Sequence, residues 1–188
     1  MEAKKGLIFE QEECIKKENK IAYFSMEICV DSKIPTYSGG LGILAGDTIR
    51  SAADLGVPMI GITHLYKKGY LKQTINQNGD QQELAEDWNP HDYLIKLPGQ
   101  VQVEIEKRIV KIQSWMYLAR GIDGDVVPIY FLDVDIPENS DYDRSLSYYL
   151  YGGDNKYRLA QEIILGIGGV RMLKELGYDD IARYHMNE

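Results

Sequence analysis

"KIAYFSMEICVDSKIPTYSGGLGILAGDTIRSAADLGVPMIGITHLY", residues 20–66, decides the fold. Its opening, "KIAYFSM" (20–26), is a short apolar and aromatic run without alternation, as expected of a strand covered on both faces. "PMIGITHLY" (58–66) is a second run of this kind. Between them a glycine turn, "PTYSGGLGILAGD" (35–47), opens an amphipathic helix. Ile43, Ala45, Ile49, Ala52, Ala53 and Leu55 make up most of one stripe, with Asp47, Thr48, Arg50, Ser51 and Asp54 opposite. Gly56-Val57-Pro58 ends the helix. Strand, glycine turn, helix, strand is a βαβ unit, which implies a parallel sheet and a right-handed crossover.

Outward from this unit the character changes. Residues 1–19 read as a polar leader or short helix, mixed in charge and without the apolar core of a secretory signal. Beyond the unit, Asn78-Gly79 is a hairpin signal. "VQVEIEKRIVKIQSWMYLAR" alternates at Val101, Val103 and Ile105 and again along Ile109, Lys111, Gln113 and Trp115. The stretch from about 67 to 120 is therefore expected to be antiparallel, an insertion or lobe on the parallel sheet. "DVVPIYFLDVD" (125–135) returns to a buried strand, and 135–156 is polar and irregular. A long helix is predicted from Tyr157 to Leu176, with Leu159, Ile163, Ile167, Val170 and Leu173 on its buried face and Gly177 after its end. "IARYHMNE" (181–188) reads as a last strand. The fold class is α/β, a Rossmann-like parallel sheet with an antiparallel insertion.

Bulk properties narrow the function. The chain has 188 residues, 44% of them apolar, and 14 tyrosines against 3 phenylalanines, which fits a soluble domain with a substantial core. A formal charge of −8 argues against nucleic acid or an anionic membrane as partner. No apolar run approaches the roughly 18 residues that span a bilayer. Cys14 and Cys29 have neither metal nor redox spacing, and read as free thiols of a cytoplasmic protein.

Gly40-Leu-Gly-Ile-Leu-Ala45 formally fits the dinucleotide fingerprint, but the second strand ends "HLYKK", without the acid that holds a ribose. A Walker loop is excluded by the lack of Gly-Lys-Ser/Thr. What the turn does offer is amides at a helix N-terminus, which suit an anion. No Lys or Arg lies between Ile34 and Ile49, so any positive charge must come from elsewhere. Close packing of helix on sheet explains the glycines equally well. His64, His91 and His185 fall on different elements, and Asp133-Val-Asp135 lacks the remaining features of a calcium loop, so no metal site is expected. Acids and amides do gather at predicted strand ends: Glu27, Asp133 and Asp135, then Asn187 with Glu188. With the tyrosines, these groups point to a site for a polyol and a phosphate.

These residues resemble a known family. Residues 21–83 are similar to the N-terminal part of the α-glucan phosphorylases, glycogen and maltodextrin phosphorylase among them, and most of all to their shorter bacterial and archaeal branch. "EDWNP", "FLDVDIPENS", "YGGDNKYRLAQEIILGIGGVRMLKELG" and "HMNE" follow in that branch's order. The resemblance implies two Rossmann-like domains facing across a cleft, a two-domain glycosyltransferase fold of which residues 20–188 would be an incomplete first domain. It implies glucosyl transfer from an α-1,4-glucan or maltooligosaccharide to phosphate, giving glucose 1-phosphate. It also implies pyridoxal phosphate held on a lysine.

By motif, the amides of Gly39, Gly40 and Leu41 would face phosphate and glucosyl unit, Glu27 would line the sugar pocket, and Asn187 and Glu188 would stand across the cleft. Two departures stand out. Cys29 occupies a place where the family usually has an aromatic near the cofactor, and no lysine here matches the family's lysine motif. The chain is accordingly expected to be an N-terminal portion, inactive without its C-terminal domain and prone to self-association. The competing expectation is a stand-alone carbohydrate-binding or regulatory module derived from that domain. A glycogen synthase is disfavoured because Lys33 is badly placed before the glycines, and an NAD enzyme by the missing ribose acid.

Overall fold

The computed structural model describes residues 20–187 except 85 and 87. The leader at 1–19, Cys14 and Glu188 therefore lie outside the described residues. Among the described residues, eight strands and four α-helices follow in order: β1 (Lys20–Ser25), α1 (Gly40–Asp54), β2 (Met59–His64), β3 (Lys72–Ile75), β4 (Gln81–Leu84), β5 (Ile95–Ile105), β6 (Arg108–Arg120), β7 (Val126–Asp133), α2 (Asp141–Ser145), α3 (Asn155–Ile163), α4 (Gly169–Glu175) and β8 (Ile181–Asn187). A five-residue π segment, Ile164–Gly168, joins α3 to α4.

Six strands form one sheet in the order β5-β6-β7-β2-β1-β8. The pairings β7–β2, β2–β1 and β1–β8 are parallel, while β5–β6 and β6–β7 are antiparallel. The result is a mixed α/β fold on a mostly parallel sheet. The expected antiparallel region divides in two. β5 and β6 extend the main sheet, and only β3–β4 stands apart as its own two-stranded ribbon. Each hairpin turn has its own chemistry. Gly79 takes the left-handed backbone that Asn-Gly turns need (φ 87°). Glu106 and Lys107 take it without glycine between β5 and β6 (φ 47° and 65°).

Both faces of the sheet are covered, which explains the unbroken apolar runs of β1, β2 and β7. On one face Tyr23, Trp115, Ile129 and Phe131 pack under Ala45, Ile49 and Ala53 of α1. On the other, Phe24, Ile62, Ile112 and Leu132 pack under Ile164, Leu165, Met172 and Leu173. The α1 stripe is narrower than expected, since Ile43 and Leu55 are exposed.

The predicted face of the helix after Tyr157 is only partly right: Leu173 is buried and Ile163 and Val170 pack half-buried against the core, but the stripe is displaced. Leu159 and Ile167 are more than half exposed, and the buried residues are Ala160, Gln161, Ile164, Leu165, Gly168, Gly169, Met172 and Leu173. They recur four apart, a spacing the π segment keeps in line. The physical reason is close approach. A Cβ on Gly168 would stand 2.4 Å from Ile112 Cδ1, and one on Gly169 2.7 Å from Phe24 Cε1. The helix comes closest to the sheet at these glycines, and Ile164, Leu165, Met172 and Leu173 fill the space on either side of them. Likewise in β6, Ile109 is exposed and its face is covered only from Gln113 onward.

Candidate functional site

β1 connects through α1 to β2 on one face, whereas β7 returns through α3 and α4 on the other face to place β8 against β1. The direction of winding thus reverses between β1 and β8. In open α/β sheets ligands bind beyond the carboxyl ends of strands at such a reversal. The predicted residues converge there. Glu27 follows β1 directly, Asn187 ends β8, and Gly39–Leu41 begin α1.

Glu27 is almost fully buried (2% exposed) and each of its carboxylate oxygens is engaged. Oε2 accepts the backbone N–H of Ser38 (2.6 Å) and of Gly39 (3.3 Å), and Oε1 accepts the Tyr151 hydroxyl (2.6 Å). Ser25 donates to the Glu27 carbonyl (2.7 Å), and Asn187 Nδ2 donates to Ser25 Oγ (3.3 Å). One chain of hydrogen bonds therefore ties the ends of β1 and β8 to the glycine turn.

The four glycines of the turn and early helix serve two purposes. A Cβ on Gly42 would meet Tyr37 Cβ at 2.5 Å and Glu27 Oε2 at 2.7 Å, and one on Gly46 would meet the Cys29 carbonyl oxygen at 2.0 Å. Those two are packing glycines. A Cβ on Gly39 or Gly40 would meet nothing within 4 Å, and Gly39 has extended backbone (φ −161°). Neither local conformation nor crowding within the described residues demands glycine at 39 or 40. Among the described residues no side chain caps α1, so its first amides retain their partial positive charge.

Two tyrosines complete the site without having been foreseen. Tyr151 sits in the loop between α2 and α3 with a left-handed backbone (φ 57°), just before Gly152 and Gly153. The Gly-Gly pair signals a turn, but nothing local says that the turn delivers a phenol to Glu27. Tyr66 is fully buried and its hydroxyl has no partner among the described residues. Burial, then the proximity of Tyr151, Tyr157 and Glu27, raises its pKa well above the ordinary phenol value.

Asp133 and Asp135 do not join the site as free acids. Lys67 Nζ lies 3.2 Å from Asp133 and 2.9 Å from Asp135, and Arg144 Nε donates to Asp135 at 2.7 Å. Trp115 Nε1 donates to Asp133 at 3.1 Å. Burial raises the Asp133 pKa despite Lys67, whereas at Asp135 the burial effect is outweighed by Lys67 and Arg144 and the pKa falls. This is a structural ion cluster fastening the loop after β7. The histidines do not join the site either, and only His64 is buried. His64 is fully buried, with Nε2 2.7 Å from the Gln161 carbonyl oxygen, and burial pulls its pKa down to about 4. His91 meets Trp115 edge-on, and His185 stacks on Tyr23. Among the described residues no cluster of His, Cys, Asp and Glu could hold a metal ion, and no helix is long and apolar enough to cross a membrane.

Known proteins are similar to this chain along most of its length. It is 44% identical over 182 residues to the maltodextrin phosphorylase of Thermococcus litoralis, a match that covers 92% of this chain and 21% of that protein. It is 38% identical to the glycogen phosphorylase of Mycobacterium tuberculosis, covering 89% of this chain and 20% of that one. To the glycogen phosphorylase of Aquifex aeolicus it is 34% identical, covering 89% and 24%. No family model matches the chain. The chain thus spans about a fifth of the length of these phosphorylases.

Proposed function

We propose that this chain is the N-terminal portion of an α-1,4-glucan phosphorylase, a glycosyltransferase that moves a glucosyl unit from glucan to phosphate. Its sheet would be the Rossmann-like core of the first of two domains, with residues 20–188 forming that incomplete domain and 67–120 its antiparallel insertion. The observation that carries the reading is the pair of open glycines. At Gly39 and Gly40 no side chain stands within 4 Å of where a Cβ would be, beside the reversal of the sheet, which leaves room for the phosphate and sugar that this activity requires.

In this reading the α1 N-terminus orients an anionic oxygen through the amides of Gly40 and Leu41. Glu27 is a positioning residue that holds the turn through Ser38 and Gly39, and Asn187 borders the same crevice, with Glu188 beyond it. The developing positive charge on the sugar and the phosphate both require fixed countercharge in a dry cleft. The glycine turn supplies amides and no cation, so the cations would come from a facing domain. Each missing donor costs on the order of 10²–10³ in rate, which leaves the chain by itself silent. Pyridoxal phosphate belongs to the proposal as well. In the family it supplies its phosphate group for proton transfer. Its lysine would come from another segment, since the family's lysine motif matches none of the lysines in this sequence.

A cytoplasmic location accompanies this reading. So does self-association of the isolated chain through the apolar side chains exposed on α3, the π segment and β8, namely Leu159, Ile167, Tyr184 and Met186. A stand-alone binding module is disfavoured because the matched relatives named above are enzymes. The test is a chimera in which this chain replaces the matching segment of the Thermococcus maltodextrin phosphorylase. Phosphate-dependent release of glucose 1-phosphate from maltodextrin by the chimera, and none by the chain alone, is the expected result. A folded but inactive chimera, or an active isolated chain, would overturn it.

A further inference from the structure

We infer that the cavity between α1 and β6 is a second ligand site, one that takes a small monocarboxylate with a short apolar body. It stands apart from the crevice at the glycine turn and does not depend on the function proposed above.

The cavity has a volume of about 110 Å³ and is lined by Val30, Ile49, Arg50, Tyr117, Ala119 and Arg120, together with Gly46. Arg120 pairs with Val126, the first residue of β7, so this end of β6 lies at the amino edge of the parallel strands. Glu27 and Asn187 stand at the opposite, carboxyl edge. The volume is about four times the roughly 30 Å³ that a water molecule occupies in the liquid, which fits a ligand of a few heavy atoms.

The lining divides by chemistry. Val30, Ile49 and Ala119 are buried and apolar. Arg50, Tyr117 and Arg120 bring the polar groups, and no acid stands among the lining residues. Arg50 is fixed in place: its Nη2 donates to the carbonyls of Cys29 and Val30 (both 3.0 Å), and its Nη1 pairs with Asp47 (3.0 Å). Asp47 therefore offsets the charge of Arg50. Arg120 is exposed, and among the described residues its guanidinium has no hydrogen bond or ion pair and the Tyr117 hydroxyl no hydrogen bond. One uncompensated cation beside a phenol and three apolar side chains matches one carboxylate with an apolar tail. Asp31 is close enough to Tyr117 to act on it: burial, then the Asp31 charge, raise the phenol pKa against the pull of Arg50. That further acid disfavours a dianion such as phosphate.

The same residues tie the cavity to the glycine turn. Cys29 N–H donates to the Gly42 carbonyl (2.9 Å), and a Cβ on Gly46 would stand 2.0 Å from the Cys29 carbonyl oxygen. The segment after Glu27 thus lies directly on α1, and Arg50 clamps it there. A ligand that touches Val30, α1 and β6 together braces that segment.

The test is amide-shift mapping of the 15N-labelled 188-residue chain titrated with propionate, with propionamide and with sodium chloride at matched ionic strength. Propionate is expected to give saturable shifts in the millimolar range at Val30, Gly46, Arg50 and Tyr117–Arg120. Neither control should reproduce them. Arg120→Ala, at an exposed strand end, should weaken the binding roughly tenfold, and Arg120→Lys less, since a point charge remains. Tyr117→Phe should weaken it several-fold. Equal shifts with propionamide or chloride would overturn the inference, as would unchanged binding by Arg120→Ala. Propionate shifts confined to Gly39–Leu41 would overturn it too, and would leave the function proposed above standing.

Discussion

Tyr151 donates its hydroxyl proton to Glu27 at 2.6 Å, across a separation of 124 residues. The carboxylate that receives it also holds the amides of Ser38 and Gly39. Three segments distant in sequence thus meet on one side chain that is only 2% exposed.

Glu27→Ala should leave two backbone N–H groups and a phenol without their acceptor, at a cost of about 2–4 kcal/mol. Glu27→Gln keeps a carbonyl oxygen for the amides and lets its NH2 face Tyr151, so a loss of about 1 kcal/mol is expected. Urea unfolding of both variants measures the difference. Equal losses in the two would show that the hydrogen bonds are not what stabilises the turn.

The glycines should separate by function. Gly46→Ala would force a methyl onto the Cys29 carbonyl, which a Cβ meets at 2.0 Å, and should cost about 3 kcal/mol or more. Gly40→Ala adds a methyl in open space at the first residue of α1, and should change stability by less than about 0.5 kcal/mol. In the chimera, however, Gly40→Ala should raise KM for phosphate. Thermal unfolding and phosphorolysis kinetics together check the contrast.

His64 makes stability depend on pH. Its folded pKa is near 4 against an ordinary 6.5, because burial disfavours the imidazolium more than the Gln161 carbonyl favours it. Between these values the unfolded chain binds more protons, so stability rises with pH across that window and is lost as the pH falls through it. The full effect is about 3 kcal/mol. Asp133, raised by burial, works in the opposite sense just above pH 3.8 and blunts the lower end. Urea unfolding from pH 4.5 to 7.5 should show a slope that His64→Gln flattens.

Lys67 stands between two carboxylates, so Lys67→Ala leaves the buried Asp133 without its counter-ion, held only by the N–H groups of Trp115 and Asp135. A loss of about 3–5 kcal/mol is expected. Adding Asp133→Asn removes the stranded charge and should recover part of that loss. A double-mutant cycle with no coupling between the two positions would argue against the ion cluster as the fastening of the loop after β7.

Much of the scaffold was legible from local pattern. The apolar runs around Tyr23, Ile62 and Ile129 mark β1, β2 and β7 because strands buried on both faces need no alternation. Gly56, Gly79 and Gly177 mark turns because each takes a left-handed backbone. The helical face after Tyr157 was not legible. The expected stripe held Leu159 and Ile167, which are exposed, because the helix turns Gly168 and Gly169 to the sheet between Ile164, Leu165, Met172 and Leu173, and closeness of approach leaves no periodic trace in hydropathy. Glu27, Asn187 and the glycines could be placed at one sheet edge from strand order alone. Tyr66 and Tyr151 could not, because their roles depend on pairings that form only when distant loops are brought together.

The sheet order also has a consequence for synthesis. Among the described residues β1 is the first strand in sequence and lies between β2 and β8, and β8 follows all the others. On a ribosome adding about 5–20 residues per second, the free side of Ile21–Ser25 waits on the order of ten seconds for Arg183–Asn187. Until then Ser25 has no Asn187 to bind, and the edge beside the future crevice is open to wrong strands. The β1 edge that borders the candidate site is thus among the late parts of the sheet to be closed.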